Sequence, residues 1–63
     1  MKRQYDVWFI DTYRNRSVCF DDIDRILFLE DGTVRILDKH GWGTDMTPNE
    51  FDKMEVDVCE IGD

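Results

Sequence analysis

Sixty-three residues, 41% of them apolar, make one small domain with enough hydrophobic material for a core and too much for a disordered chain. Fifteen acids against eight bases give a net charge of −7, the wrong sign for a protein that grips nucleic acid or an anionic membrane face directly. No run of about 18 apolar residues occurs, which excludes a membrane-spanning helix, and the four consecutive apolar residues of MKRQYDVWFI, Val7 to Ile10, are too few for a secretory signal, so the chain reads as cytoplasmic.

The first strand candidate is Tyr5–Thr12, YDVWFIDT. A period of two puts Val7 and Phe9 on one face and Trp8 and Ile10 on the other. A strand apolar on both faces needs cover on both. In so short a chain that cover comes from barrel curvature or from a second subunit. A homodimer or higher oligomer is therefore expected, with Val7, Trp8, Phe9 and Ile10 as interface candidates. Residues 14–17, RNRS, read as a turn. SVCF (17–20) makes a short strand that DDID (21–24) breaks, since Asp is poor in strands and good in turns.

Residues 25–38, RILFLEDGTVRILD, are two β-rich runs around Asp31-Gly32, a strong hairpin signal. Two registers compete. A two-residue turn pairs Leu29 with Val34 and Leu27 with Ile36. A three-residue loop with Gly32 at positive φ pairs Leu29 with Thr33, Phe28 with Val34 and Ile26 with Ile36. The second suits glycine better, and both send Val34 and Ile36 to the core. Thr47-Pro48 followed by Glu50 has the form of a capping box with proline at the first helical position, predicting a short helix at about 48–54. EVDVCEI (55–61) closes the chain as a strand, with Val56 and Val58 inward and Glu55 and Asp57 outward. The fold class is mainly β, small α+β, with five short antiparallel strands. Its element order resembles an SH3-like small barrel; an open sheet with the helix across one face is the alternative.

The inventory of reactive groups is thin. His40 is the single histidine and Ser17 the single serine, and nothing in the spacing sets one against the other or against a cysteine, so no catalytic residue is assigned and an enzyme is not expected. A calcium loop starting at Asp22 fails at its fifth and sixth positions, Ile26 and Leu27, leaving only weak cation binding by residues 21–24. Cys19 and Cys59 have neither CxxC spacing nor enough companions for zinc. They read as thiols in a reducing compartment, with a disulfide as the minority reading. No metal and no cofactor is implied.

Two features carry functional readings. The connector KHGWGTDMTP places Trp42 between two glycines. The bland reading is a lid on the core near Phe51 and Met54. The others make Trp42 an interface anchor, or a platform that stacks on a nucleotide or cyclic nucleotide with Lys39, His40 or Arg35 near its phosphate. The second feature is charge. Residues 1–20 carry +2, residues 21–43 carry −3 and residues 44–63 carry −6. Asp45, Glu50, Asp52, Glu55, Asp57, Glu60 and Asp63, gathered on one face, would imitate a row of phosphates. In size and charge alone the chain resembles the short acidic proteins, many of them phage-encoded, that mimic DNA to inhibit nucleases, restriction or CRISPR complexes and other anti-phage defence. The expected function is a non-enzymatic binding or inhibitor protein, engaging through protein–protein interaction a basic surface on a nucleic-acid-handling partner. The alternative is an oligomer that sequesters a nucleotide through the Trp42 loop.

Overall fold

The computed structural model describes residues 2–61. The chain forms β1 (Lys2–Asp11), β2 (Arg16–Phe28), β3 (Val34–Asp38), β4 (Gly43–Met46) and β5 (Lys53–Ile61). They build one antiparallel sheet in the order β4-β3-β2-β1-β5. β4 and β5 are its two edges and do not pair, so the sheet is open and not the closed barrel that the element order suggested. The molecule measures 41 × 22 × 15 Å. A nine-residue strand is about 30 Å long, so β1 and β5 run along its long axis.

The predicted short strands at 17–20 and 25–30 are one strand, β2. DDID bends it without ending it. Asp22 takes φ 58, and the pairing to β1 and to β3 shifts register on either side of Ile23. This is a bulge, built on a residue type that tolerates the left-handed region. The first half of β2 pairs with β1 and the second half with β3. The bend folds β3 and β4 toward the face of β1 that carries Val7 and Phe9.

That curl supplies the cover that VWFI needs on one side. Val7, Phe9, Ile23, Val34, Ile36 and Met46 form the buried cluster, with Val7 at 0% exposure and Phe9 and Ile36 at 1%. Phe20 and Phe51 meet Phe9 edge-on, at centroid distances of 5.8 and 4.9 Å. Trp8 and Ile10 remain half-buried on the outer face. Val7 and Phe9 are thus enclosed within their own chain and out of a partner's reach. Of the four interface candidates only Trp8 and Ile10 face outward.

The β2–β3 hairpin takes the three-residue loop. Phe28 pairs with Val34 and Ile26 with Ile36, while Leu29 N–H donates to Thr33 O at 2.9 Å. Asp31 Oδ1 accepts from Thr33 N–H at 2.9 Å, and Gly32 sits at φ 90. Phe28 shares the side of Val34 but lies at the end of the sheet, past its cover, and is exposed. A Cβ on Gly32 would sit 2.9 Å from Pro48 Cγ as well as in a left-handed backbone. Gly32→Ala is therefore expected to cost about 1–2 kcal/mol, a fall on the order of 5–15 °C in melting temperature for a domain this small, readable in a thermal melt by circular dichroism.

The predicted helix at about 48–54 is absent: residues 48–50 form a turn and Lys53 already belongs to β5. The Glu50 half of the capping box forms, and it closes a single turn. Glu50 Oε1 accepts from Thr47 N–H at 3.2 Å and from its hydroxyl at 2.9 Å, and Glu50 N–H donates to Thr47 O. Phe51 then drops onto Phe9. Asp52 N–H donates to Ile10 O at 2.8 Å, and its carboxylate accepts from Thr12 N–H at 2.7 Å. These bonds tie the chain to the end of β1 before a second helical turn can form. The fifth strand lies where a connector was expected: β4, residues 43–46, pairs with β3.

Candidate functional site

Seven carboxylates were expected to share one face. Asp45 lies on β4, at the edge opposite β5, and is bound to Arg35 through two bonds of 2.7 and 3.0 Å. That pairing holds the Asp45 carboxyl below its ordinary value and takes Arg35 out of the proposed phosphate contacts. Glu50 is occupied by Thr47. Asp52 is occupied by Thr12, whose N–H holds it in its ionised form and below its ordinary value. Glu60 pairs with Arg3 at 3.7 Å, and since Arg3 and Glu60 face each other across β1 and β5, they lie on the Tyr5, Val7 side of the sheet. Asp63 lies outside the described residues. Only Glu55 and Asp57 are together on the outer face.

They have other company there. Asp57 stands directly opposite Asp6, and Glu55 opposite Trp8. Trp8 is in turn opposite Cys19 on β2. Asp6 Oδ1 accepts from Asp22 N–H at 3.4 Å and Asp6 Oδ2 from the Cys59 thiol at 3.7 Å, so one carboxylate bridges β1, β2 and β5. The Cys19 thiol donates to Asp21 Oδ1 at 3.3 Å. The outer face thus gathers Asp6, Asp21, Asp22, Glu55 and Asp57 around Trp8, with Lys53 at its margin. Cross-strand neighbours are about 5 Å apart and alternate residues about 7 Å. Both spacings lie within the ~8 Å screening length of physiological salt, so these charges sum to one field.

Asp6, Asp21 and Asp22 were missing from the expected set. Period two along YDVW already aligned Asp6 with Trp8, but its pairing with Asp57 depends on β1 and β5 being neighbours. The bulge that brings in Asp22 has no signal beyond the turn preference of Asp.

Both thiols sense this field. The charge of Asp6 is the main cause that raises the Cys59 pKa, joined by desolvation, the Asp6 hydrogen bond and the charges of Asp57 and Asp22. Desolvation leads at Cys19, followed by Asp21. Alkylation of Cys59 at pH 8 is therefore expected to be slower than that of a free thiol and to quicken when salt is raised or Asp6 becomes Asn. Cys19 responds less, and site-resolved mass spectrometry separates the two. The cysteines flank β1 opposite Trp8 and Gln4, about 13 Å apart along the strand and two strand spacings across. A disulfide needs Cα atoms within about 7 Å, so the two do not bridge within one chain.

Trp42 is not a lid. It is 77% exposed at the tip of the β3–β4 hairpin, and the tip is braced. Asp38 Oδ1 accepts from His40 N–H at 2.9 Å and Trp42 N–H at 3.0 Å, while Asp38 N–H donates to Trp42 O at 3.0 Å. Gly41, at φ 84, lets the chain reverse. Trp42→Ala is expected to change unfolding free energy by less than about 0.5 kcal/mol, against the roughly 3–5 kcal/mol of a buried tryptophan, as denaturant titration would show.

His40 makes no hydrogen bond to Ser17 or to either cysteine among the described residues. No group of three or more His, Cys, Asp or Glu gathers there in a form that holds a metal. A cleft of about 200 Å³ lies between Phe9, Val18 and Met46 with Arg14, Arg16 and Glu50 at its rim, smaller than the roughly 300–1,000 Å³ of typical ligand sites. Among the described residues no helix is long and apolar enough to cross a membrane. No protein-family model, curated protein or solved structure matches this chain.

Proposed function

We propose that the protein acts by binding and not by turnover, presenting the outer face of β1, β2 and β5 to a basic surface on a nucleic-acid-handling protein. The observation that carries this reading is Asp57 set directly opposite Asp6, with Asp22 and Glu55 beside them. Like charges facing each other across a pair of strands destabilise a sheet, and a departure from local stability of this kind fits a surface shaped for a partner. Trp8, half-buried at the centre, supplies the aromatic anchor around which such interfaces concentrate their energy. The carboxylates on turns and at the β4 edge have structural duties and lie outside this surface. Blocking a partner's nucleic-acid groove by imitation of phosphates is the mode of action this proposal assigns.

The test is capture from a bacterial lysate on the immobilised protein, eluted by a salt gradient. The proposal expects basic, nucleic-acid-binding proteins that leave as ionic strength rises and that free DNA displaces. Partners held equally at high salt would remove it.

The braced, exposed Trp42 favours a second reading, a stacking or anchoring platform with Lys39 and His40 beside it. A panel of nucleotides and cyclic nucleotides, followed by tryptophan fluorescence in a Trp8→Phe background, tests it. No quenching would leave Trp42 as a second protein contact.

A further inference from the structure

β5 has a neighbour on one side only. It pairs with β1 along its whole length, and among the described residues no strand takes its other edge. An edge strand turns half of its backbone N–H and C=O groups outward, and chains usually blunt such an edge with proline, a bulge, short length or lysines. β5 has nine residues, no proline, no shift in its register with β1 and one lysine, at its start. The other edge, β4, has four residues and is crossed by the Arg35–Asp45 ion pair. Beside the open edge Val56 is 40% and Val58 57% exposed on the core-side face, while Glu55 and Asp57 are exposed on the outer face. The strand therefore offers an apolar row on one side and an acidic row on the other, with unpaired backbone between them.

A second copy fits this edge poorly. The two-fold register that pairs Val56 with Val58 of the copy sets Asp57 against its own counterpart. The register that pairs Val56 with itself sets Glu55 against Asp57 twice, and the register that pairs Val58 with itself avoids both clashes only by setting each Val56 against Glu60 of the copy. Facing carboxylates destabilise such pairs, and Asp6 stands behind each of them. A strand from a different protein, with Lys or Arg at alternate positions, meets the acidic row with opposite charge and lays its other side chains over the valines.

We infer that β5 receives an extended segment of its partner as a sixth strand, and that this segment alternates basic with β-branched residues. This rests on the proposed acidic docking and specifies its form: backbone pairing along the edge gives affinity, and alternate side chains give selectivity.

Three synthetic peptides matched in length to β5 test it. The first alternates valine and lysine. The second has the same composition with the lysines in one block. The third repeats the first with the backbone N-methylated at every second residue, which removes donors from one edge and leaves charge intact. Binding is followed by NMR titration and amide hydrogen exchange at low salt. The expected result is new exchange protection at alternate amides of β5, none at β4, and affinity at least about tenfold weaker for both control peptides. Equal, salt-sensitive binding by all three would overturn strand addition and leave the acidic surface standing. No binding by any would overturn both. Protection of β5 that grows with protein concentration in the absence of peptide would overturn the inference by assigning the edge to a second copy.

Discussion

Replacing Phe9 with alanine is expected to remove most of the stability this domain has. The ring is 1% exposed and is the meeting point of three segments: Phe20 on β2, Phe51 on the loop before β5, and the strand that carries Phe9 itself. Truncating a buried phenylalanine costs about 3–5 kcal/mol, the lost transfer energy plus the cavity left behind. A chain of this length has roughly 3–9 kcal/mol in all. The cover over that face, β3, β4 and Phe51, is tied down by strand pairing and by the Asp52 bonds to the end of β1, and so closes into the hole only in part. Val58→Ala serves as the control: it removes apolar atoms from the same face at a half-exposed position and should cost less than about 1 kcal/mol. Urea titration followed by circular dichroism compares them. Equal midpoints for the two variants would mean that the core is not centred on Phe9.

The core was legible because it obeys short-range rules. Val7 and Phe9 alternate with Trp8 and Ile10, and Val34 and Ile36 face inward in either hairpin register. Gly32 after Asp31 pointed to the register that forms. What was hidden depends on contacts far apart in sequence. DDID looks like a strand break, and the composition is that of a turn; only the pairing of Tyr5 and Val7 with Ile23 and Phe20 makes it a bulge within β2. Thr47-Pro48-Asn49-Glu50 looks like the start of a helix, and the Glu50 side chain reaches back to Thr47 N–H as a helix start would have it. Phe51 against Phe9 and Asp52 against Thr12 then end the turn. Gly43–Met46 has no strand signature of its own and becomes β4 because Val34 and Ile36 offer it a partner.

The candidate surface divides along the same line. Glu55 and Asp57 were readable from alternation in EVDVCEI. Asp45, Glu50 and Asp52 were assigned by charge alone, and charge does not reveal that Arg35, Thr47 and Thr12 already hold them. Asp6 sits in the first twenty residues, which carry +2, yet its neighbour across the sheet is Asp57. Linear charge blocks therefore mislead for a sheet whose first and last strands are adjacent.

Converting both Glu55 and Asp57 to lysine is expected to move binding and stability in opposite directions. Glu55 and Asp57 lie outside the core, so neither contributes packing. Asp57→Lys replaces a carboxylate facing Asp6 with an ammonium that can pair with it, and a like-charge cross-strand pair turned attractive is worth up to about 1 kcal/mol. The double variant should therefore melt no lower than the wild type, and its advantage should shrink as salt rises. Binding to the salt-eluted partner should fall on the order of a hundredfold at low salt, since two attractive contacts become repulsive within one screening length. The gap should close near 1 M salt, where screening acts within ~3 Å. Glu30→Lys, at the β2–β3 turn, separates patch from total charge: alone it changes net charge as much as Asp57→Lys alone, yet should lower affinity far less. If Glu30→Lys and Asp57→Lys weaken binding equally, overall charge and not the outer face of β1 and β5 drives recognition. A double variant that melts well below the wild type would mean that the carboxylate pair is held by favourable contacts, and that its local instability offers no clue to a partner.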